Sequence, residues 1–341
     1  MRSEPVSPPQ GAGSSPILSV GVPTYNQAEY LQQTLDSLVN LPRQPLEIVV
    51  SENHCTDQTS AILEQYGDAI RVIRPPTHLS MMANWNYLIS HLNGEWVVLL
   101  SSDDLALPNY VEVLERGTTV SPAAVLVKTS YQRIDRQGRV TKTKHLRATQ
   151  TVVSPPETLT GQLTGSDVAF GAFAVRRDAW QRAGGFPEQC HLAGDWGFWL
   201  RLAPLGDFVY ERVPIIQYRN RYRDVAAEKK RSVLWARDYL HIWHDIMPEV
   251  ARTVGVDDAL VCEYSYRKCF RCLSAASAVL EREERAEVVA LMAEWAQETG
   301  LEDVLARFAA GEVLPRRNYG PVRRTLSRWV RGVGDAVGVR W

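Results

Sequence analysis

Residues 95–104 read EWVVLLSSDD, an uncharged apolar run over 96–100 that passes directly into two serines and two adjacent aspartates. A run of that length, bounded by polar residues, reads as a buried strand, and its acidic end lies where the chain leaves the core. Upstream the same grammar repeats. ILSVGV (17–22) is a strand that opens into the turn PTYN (23–26), and 29–39 has Leu31, Leu35, Leu38 and Val39 at helical spacing. LEIVVS (46–51) is a second strand ending in the polar loop ENHCTD (52–57), after which Asp57 stands where it could cap a helix over 58–66. A third strand over 70–73 and a helix over 82–92 lead back to the acidic strand.

Strands alternating with helices over such short loops predict an α/β fold, a mostly parallel sheet with helices on both faces. Ligands of such sheets bind beyond the carboxyl ends of the strands. PTYN, SENHCTD and SSDD all fall at such ends, so three loops are expected to converge on one crevice. Beyond it, strands are expected over 125–135 (with a Gln-Gly turn after it) and 208–219, a strand entering a helix over 170–180, and a helix over 194–203. After about Arg223 strand formers thin out and apolar residues recur at helical spacing. The expected organisation is therefore a disordered lead-in (1–16), an α/β domain (17–223), a helical appendage (224–314) and a basic C-terminal segment (315–341).

Composition narrows the function classes. With 45% hydrophobic and 23% charged residues the 341-residue chain is globular, and its net charge of −1 supplies no general field towards nucleic acid. No stretch approaches the ~20 apolar residues of a spanning helix, and residues 1–16 lack the apolar core of a secretory signal. Five irregularly spaced cysteines suit a reducing, cytoplasmic setting. Cys269 and Cys272 form C-x-x-C, but the zinc spacing is incomplete and helical cysteines three apart are core fillers. No G-x-G-x-x-G follows a strand, which excludes a dehydrogenase, and PTYN replaces the Gly-rich phosphate loop of a nucleotidyltransferase.

Adjacent carboxylates such as Asp103 and Asp104 repel, and a cation between them relieves that. Alternatively, Asp104 caps a helix beginning near Pro108. PILSVGVPTYNQAEYLQQTLDSL, EIVVSENHCTDQT, the NWN of 84–86, GEWVVLLSSDDLALPNY and AGDWGFWLRLA together resemble the successive motifs of family 2 glycosyltransferases, over about residues 17–220. The resemblance implies the GT-A (Rossmann-like) fold and an inverting transfer from a nucleoside-diphosphate sugar, with uridine as the base by family habit. It implies that Pro23, Thr24, Tyr25 and Asn26 wrap base and ribose, that Glu52 (commonly Asp) bonds the nucleobase, and that Asn84 lies beside the donor. By the same resemblance Ser102 borders the nucleotide, Asp103 binds Mg²⁺ or Mn²⁺ through the diphosphate with Asp104 beside it, and Asp195 is the catalytic base.

Two positions depart from the family. Ser101 stands where an acid is common, which weakens the expected metal site. YRNRYRD (218–224) replaces a His-containing stretch, so Arg219, Arg221 and Arg223 either touch the diphosphate or are solvated. On its residues alone Asp195 is equally an N-cap, and NWN equally one buried Trp with two solvated amides. Trp196 offers a ring on which a sugar could stack. In 315–341, seven arginines flank an apolar stripe with Trp329, which fits either peripheral contact with an anionic membrane or a docked helix. Membrane contact would point to a lipid-linked sugar or other glycan as acceptor, as in cell-surface polysaccharide synthesis. The alternative reading, favoured by Ser101, is a catalytically inactive nucleotide- or glycan-binding protein.

Overall fold

A computed structural model describes residues 17–146, 150–163, 166, 168–220, 225–256, 280–299 and 301–314, together with 261, 270, 272–274 and 276–278. Residues 1–16, Arg221, Arg223, Cys262, Cys269 and 315–341 lie outside the described residues, and with them the lead-in, part of the arginine loop and the basic C-terminal segment.

The sheet begins as expected. Strands β1 (Leu18–Thr24), β2 (Glu47–Glu52), β3 (Arg71–Ile73) and β4 (Trp96–Leu99) run parallel in the order β3-β2-β1-β4. The helices between them are α1 (Ala28–Val39), α2 (Thr59–Glu64) and α3 (Met81–Ser90). β1 is buried on both faces, and its alternate residues Leu18, Val20 and Val22 join Leu31, Leu35 and Leu38 of α1 in one core. On the other face Gly21 brings β1 so close to α3 that a Cβ there would stand 2.8 Å from Leu99 and 3.0 Å from Leu88.

Past β4 the sheet becomes mixed. A two-residue strand β5 (Leu105–Ala106) precedes α4 (Tyr110–Thr118), then β6 (Ala124–Ile134) turns through Gln137-Gly138 into β7 (Val140–Lys144). Gly138 takes φ 83°, which that hairpin turn requires. Strand β8 (Val152–Val153), α5 (Glu157–Gln162), β9 (Phe173–Arg176), α6 (Arg177–Arg182), α7 (Gly194–Leu202) and β10 (Asp207–Arg219) follow. β9 is inserted antiparallel between β4 and β6, and β10 runs parallel to β6 with register shifts around Pro214. The unbroken parallel run thus ends at β4, because β9 enters from the opposite end, and parallel pairing resumes only between β6 and β10.

The appendage is helical as expected: α8 (Val225–His241), a π-helical turn (Ile242–Ile246), α9 (Met247–Val254), α10 (Arg282–Thr299) and α11 (Glu302–Ala309). Pro248, in the first turn of α9, cannot donate a backbone bond, which accounts for the widened turn before it. Val233, Ala236, Ile242, Trp243, Met292 and Trp295 share one continuous core with α3 and α7. The appendage is therefore packed into one face of the sheet through the helix that bears Asp195.

Candidate active site

The parallel register sets the crevice. Thr24 at the end of β1 lies directly opposite Glu52 at the end of β2, and Leu100 beyond β4 donates to Gly21 O at 2.9 Å. The loops after β1, β2 and β4 therefore emerge side by side, as the three polar clusters predict.

The first two loops are laced together. Asn26, at φ 51°, accepts from Thr56 N at 2.8 Å, and its own N–H points to Cys55 Sγ at 3.3 Å. Asp57 Oδ2 accepts from Ala28 N at 3.0 Å while Oδ1 accepts from Thr59 N and Oγ1 at 3.0 and 2.6 Å. Asp57 therefore anchors the starts of both α1 and α2, more than the single cap expected of it. Asn53 ties in the segment before α3, accepting from Leu79 N and donating to Leu79 O, both at 2.9 Å. Above this lattice Tyr25 stays 47% exposed, with its ring 4.5 Å from that of His78. The carboxylate of Glu52 is buried and accepts from Cys55 N and from Arg74 Nε. Burial alone would raise its pKa, but these bonds and the Arg74 charge outweigh it and hold the group below the usual carboxylate range. Glu52 and Arg74 border a cleft of about 450 Å³ walled by Leu63, Ile70 and Val72.

The acidic loop separates its two aspartates. Asp103 Oδ1 accepts from Ser101 Oγ at 2.6 Å, so the serine that replaces an acid bonds the carboxylate it stands beside. Asp104 is 1% exposed and its Oδ1 accepts from Arg219 N at 2.7 Å. That bond turns Oδ1 of Asp104 to the end of β10, and Asp104 does not cap α4, whose N-cap is Asn109. Arg219 is also corrected. It is 3% exposed, donates from Nε to Asp103 O at 2.8 Å, from Nη1 to Arg136 O at 3.0 Å and from Nη2 to Gln33 Oε1 at 3.0 Å, and lies 4.5 Å over the Tyr30 ring. It is a strut beneath the acidic loop and has no free face for a diphosphate. Among the described residues no three His, Cys, Asp or Glu side chains converge as a metal cage. The donor set that fits a cation is narrower: the Asp103 carboxylate, with remaining positions open to phosphate oxygens and water, a pattern Mg²⁺ tolerates.

Pro23 and Thr24 form the last rungs of β1, with Thr24 buried, and Ser102 is buried in the acidic turn. Asn84, 4% exposed, accepts at Oδ1 from Ser51 Oγ at 2.6 Å, pinning α3 to β2. Asn86 pins the loop before α7: it donates to Phe186 O at 2.9 Å and accepts from Phe186 N at 2.8 Å. Trp85 between them stacks on Phe170 at 4.2 Å. The two amides of NWN are therefore structural bonds and not solvated groups.

Asp195 lies in the first turn of α7, one residue inside the helix, and its Oδ1 accepts from Trp196 N at 2.7 Å. The N-cap position is held by Ala193. Trp196 is 2% exposed, donates from Nε1 to Gln162 O at 2.7 Å and meets Tyr239 and Trp243 edge-on at 5.6 and 5.7 Å. Its ring is enclosed by protein and presents no face to a sugar. Neighbouring Cys190 is an inert thiol, pushed up to about 12 by burial first and then by the Asp238 charge. The sequence reading missed Asn53, Arg74, His78 and Asp238; the first lies within the SENHCTD motif, while nothing local marks the others.

Comparison with known proteins gives this crevice its family. Residues 19–183 match the model of glycosyl transferase family 2. The chondroitin synthase of Pasteurella multocida (strain Pm70) and the hyaluronan synthase of Pasteurella multocida are each 27% identical over 198 residues, 57% of this chain. Those matches cover 19% of either relative, so the chain spans under a fifth of their length. Among solved structures, S. aureus TarS 1-349 in complex with UDP-GlcNAc superposes with a TM-score of 0.60 at 18% identity, covering 87% of this chain and 88% of that one. The fold is thus that of the GT-A transferases. By its match to the family model and the order of its strand-end motifs, residues 19–183 of this chain form a glycosyl transferase family 2 domain.

Proposed function

We propose that this chain is an inverting transferase that moves a sugar from a nucleoside-diphosphate sugar, UDP-linked, to a hydroxyl of a glycan or lipid-linked acceptor. The observation that carries the reading is the register of β1, β2 and β4, which sets Tyr25 and Asn26, Glu52, and Asp103 on three adjacent strand ends. In this reading Tyr25 and Asn26 face base and ribose, and Glu52, kept ionised by its bonds from Cys55 and Arg74, accepts from the nucleobase. Asp103 approaches the diphosphate and would hold the Mg²⁺ or Mn²⁺ that neutralises charge on the departing phosphate. Asp195 takes the acceptor proton as the acceptor oxygen bonds to the anomeric carbon. The bond from that carbon to the phosphate oxygen breaks, and the nucleoside diphosphate leaves with the electron pair. The UDP-GlcNAc bound to the S. aureus protein supports the donor class, and the polysaccharide names of the Pasteurella relatives support a glycan acceptor. The basic apolar-striped sequence of 315–341 supports an acceptor presented at an anionic surface.

Release of nucleoside diphosphate from UDP-glucose, UDP-N-acetylglucosamine, UDP-glucuronic acid and GDP-mannose tests the reading, with Mg²⁺, Mn²⁺ or chelator. Metal-dependent release from a UDP-sugar, abolished in Asp103→Ala, is expected. Failure to bind any nucleoside diphosphate by calorimetry sinks it. The inactive-binder reading draws on the Ser101–Asp103 bond and the diversion of Asp104; UDP binding without turnover of any donor–acceptor pair would establish it instead.

A further inference from the structure

Asp238, on α8 of the appendage, is fully buried. Its carboxylate gathers the three consecutive amides that lead into α7. It accepts from His191 N at 2.9 and 3.0 Å, from Leu192 N at 2.5 Å and from Ala193 N at 2.7 Å. The His191 ring, half exposed, adds Nδ1 at 3.2 Å. Three successive N–H groups turned inward form an anion cradle, and here its occupant is an internal carboxylate from an element more than forty residues downstream. Asp195 follows this cradle by two residues, in the first turn of the helix that the cradle leads into. The grip is reinforced on the next turn. Trp196 is wedged against Tyr239 and Trp243, and Gly197 approaches the π-helical turn so closely that a Cβ would stand 3.0 Å from Ile246.

We infer that Asp238 is a positioning residue for transfer: by clamping 191–193 it fixes where α7 begins, and so where the Asp195 carboxylate stands. The helical appendage is then a working part of the catalytic unit. This rests on Asp195 being the base. Misplacing a base by about 1 Å can cost on the order of 100-fold in rate, whereas donor binding at the strand ends is made by other residues and is unaffected.

The test compares wild type, Asp238→Asn, Asp195→Asn, the double variant and His191→Ala, using the nucleotide sugar of the panel above with the highest turnover. Hydrogen exchange is followed in parallel across 190–196. The expected result for Asp238→Asn is faster exchange confined to 190–196, a kcat lower by about 10- to 100-fold, and donor KM and UDP affinity within twofold of wild type. In the Asp195→Asn background the same change costs less than threefold, because Asp238 acts through Asp195. His191→Ala keeps kcat within threefold. Wild-type kcat or unchanged exchange in Asp238→Asn overturns the positioning alone, as does an undiminished loss in the Asp195→Asn background. A full rate in Asp195→Asn overturns the base assignment and the positioning with it. A loss in His191→Ala as large as in Asp195→Asn makes the imidazole the group Asp238 serves, and also overturns it. A parallel fall in kcat, UDP affinity and melting temperature in Asp238→Asn reduces its role to folding.

Discussion

Replacing Arg219 by Met separates two uses of one guanidinium, because a strut and a phosphate contact fail differently. The substitution keeps much of the volume and the backbone N–H that Asp104 accepts, but removes the donors to Asp103 O, Arg136 O and Gln33 Oε1 at 2.8, 3.0 and 3.0 Å. The buried Asp103 carbonyl left without its donor costs about 2 kcal/mol, and the bonds to the exposed Arg136 and Gln33, whose acceptors water can reach, about 0.5 kcal/mol each. The lost stack on Tyr30, at 4.5 Å, adds roughly 1 kcal/mol, for a total of about 4 kcal/mol. At about 2 °C per kcal/mol for a chain of this size, the melting midpoint should fall by roughly 8 °C. Differential scanning fluorimetry gives that number, and calorimetry with UDP and Mn²⁺ well below the midpoint gives the affinity, expected within about threefold of wild type. Arg219→Lys, which restores charge without the planar fork, should recover less than half of the lost stability. An Arg219→Met protein that melts within 2 °C of wild type while losing tenfold or more in UDP affinity would refute the argument. The guanidinium would then be a ligand contact and its hydrogen bonds incidental.

The two aspartates should separate in the same way: Asp103→Ala abolishes metal-dependent release of diphosphate with little change in melting temperature. Asp104→Asn weakens the bond to Arg219 N and lowers stability by about 1–3 kcal/mol in urea titrations; equal effects of the two on turnover would contradict their separate roles. Glu52 carries a pH signature. Its native carboxyl lies below the ordinary value of about 4.3, so the bonds to Cys55 and Arg74 stabilise fully above that value and are lost as pH falls through the lowered native one. Urea midpoints of wild type and Glu52→Gln should therefore differ at pH 7 and converge only as pH falls below the ordinary carboxyl range, and a difference independent of pH would show that the charge is not involved. Gly194→Ala places a Cβ 2.3 Å from the sulfur of Met82, which is fully buried, and should cost about 1–3 kcal/mol. In a Met82→Ala background Gly194→Ala should cost less, and an undiminished cost there would trace it to the backbone instead.

Much of the site lay open in the sequence because it is built on strand ends. A parallel strand that finishes in a polar cluster announces both its burial and the place where it stops being buried, and three such strands need only adjacent register to bring their clusters together. Roles carried by a single side chain were less legible. Asp103 and Asp104 are indistinguishable as letters, and only the arrival of β10 alongside, with the Arg219 amide at 2.7 Å, assigns one of them to the protein interior. Trp196 looked available to a sugar because its neighbours in the chain are charged or small. What encloses it is Tyr239 and Trp243, from helices whose position no local pattern states. The short strands β5 and β8 escaped notice for a related reason: two residues hold no period, and they exist as strands because β10 offers them an edge.

The same contrast explains why the helix that carries Asp195 needs help that the strand-end loops do not. The loops after β1 and β2 begin at paired backbone positions and are laced to each other by Asn26, Asn53 and Asp57, so the sheet itself fixes them. Helix α7 has no such parent strand. It follows a loop of glycines and turns after α6, and Gly184 and Gly185 there both take positive φ, which leaves its start free to slide unless something outside the sheet holds it. Asn86 holds the loop at Phe186, and Asp238 holds it at 191–193. The second of these anchors lies in the appendage, beyond the family match that ends at residue 183. Relatives that share the strand-end loops but differ in the helices after β10 must then seat this helix with different residues. The seating of this helix is thereby free to diverge while the strand-end loops stay the same.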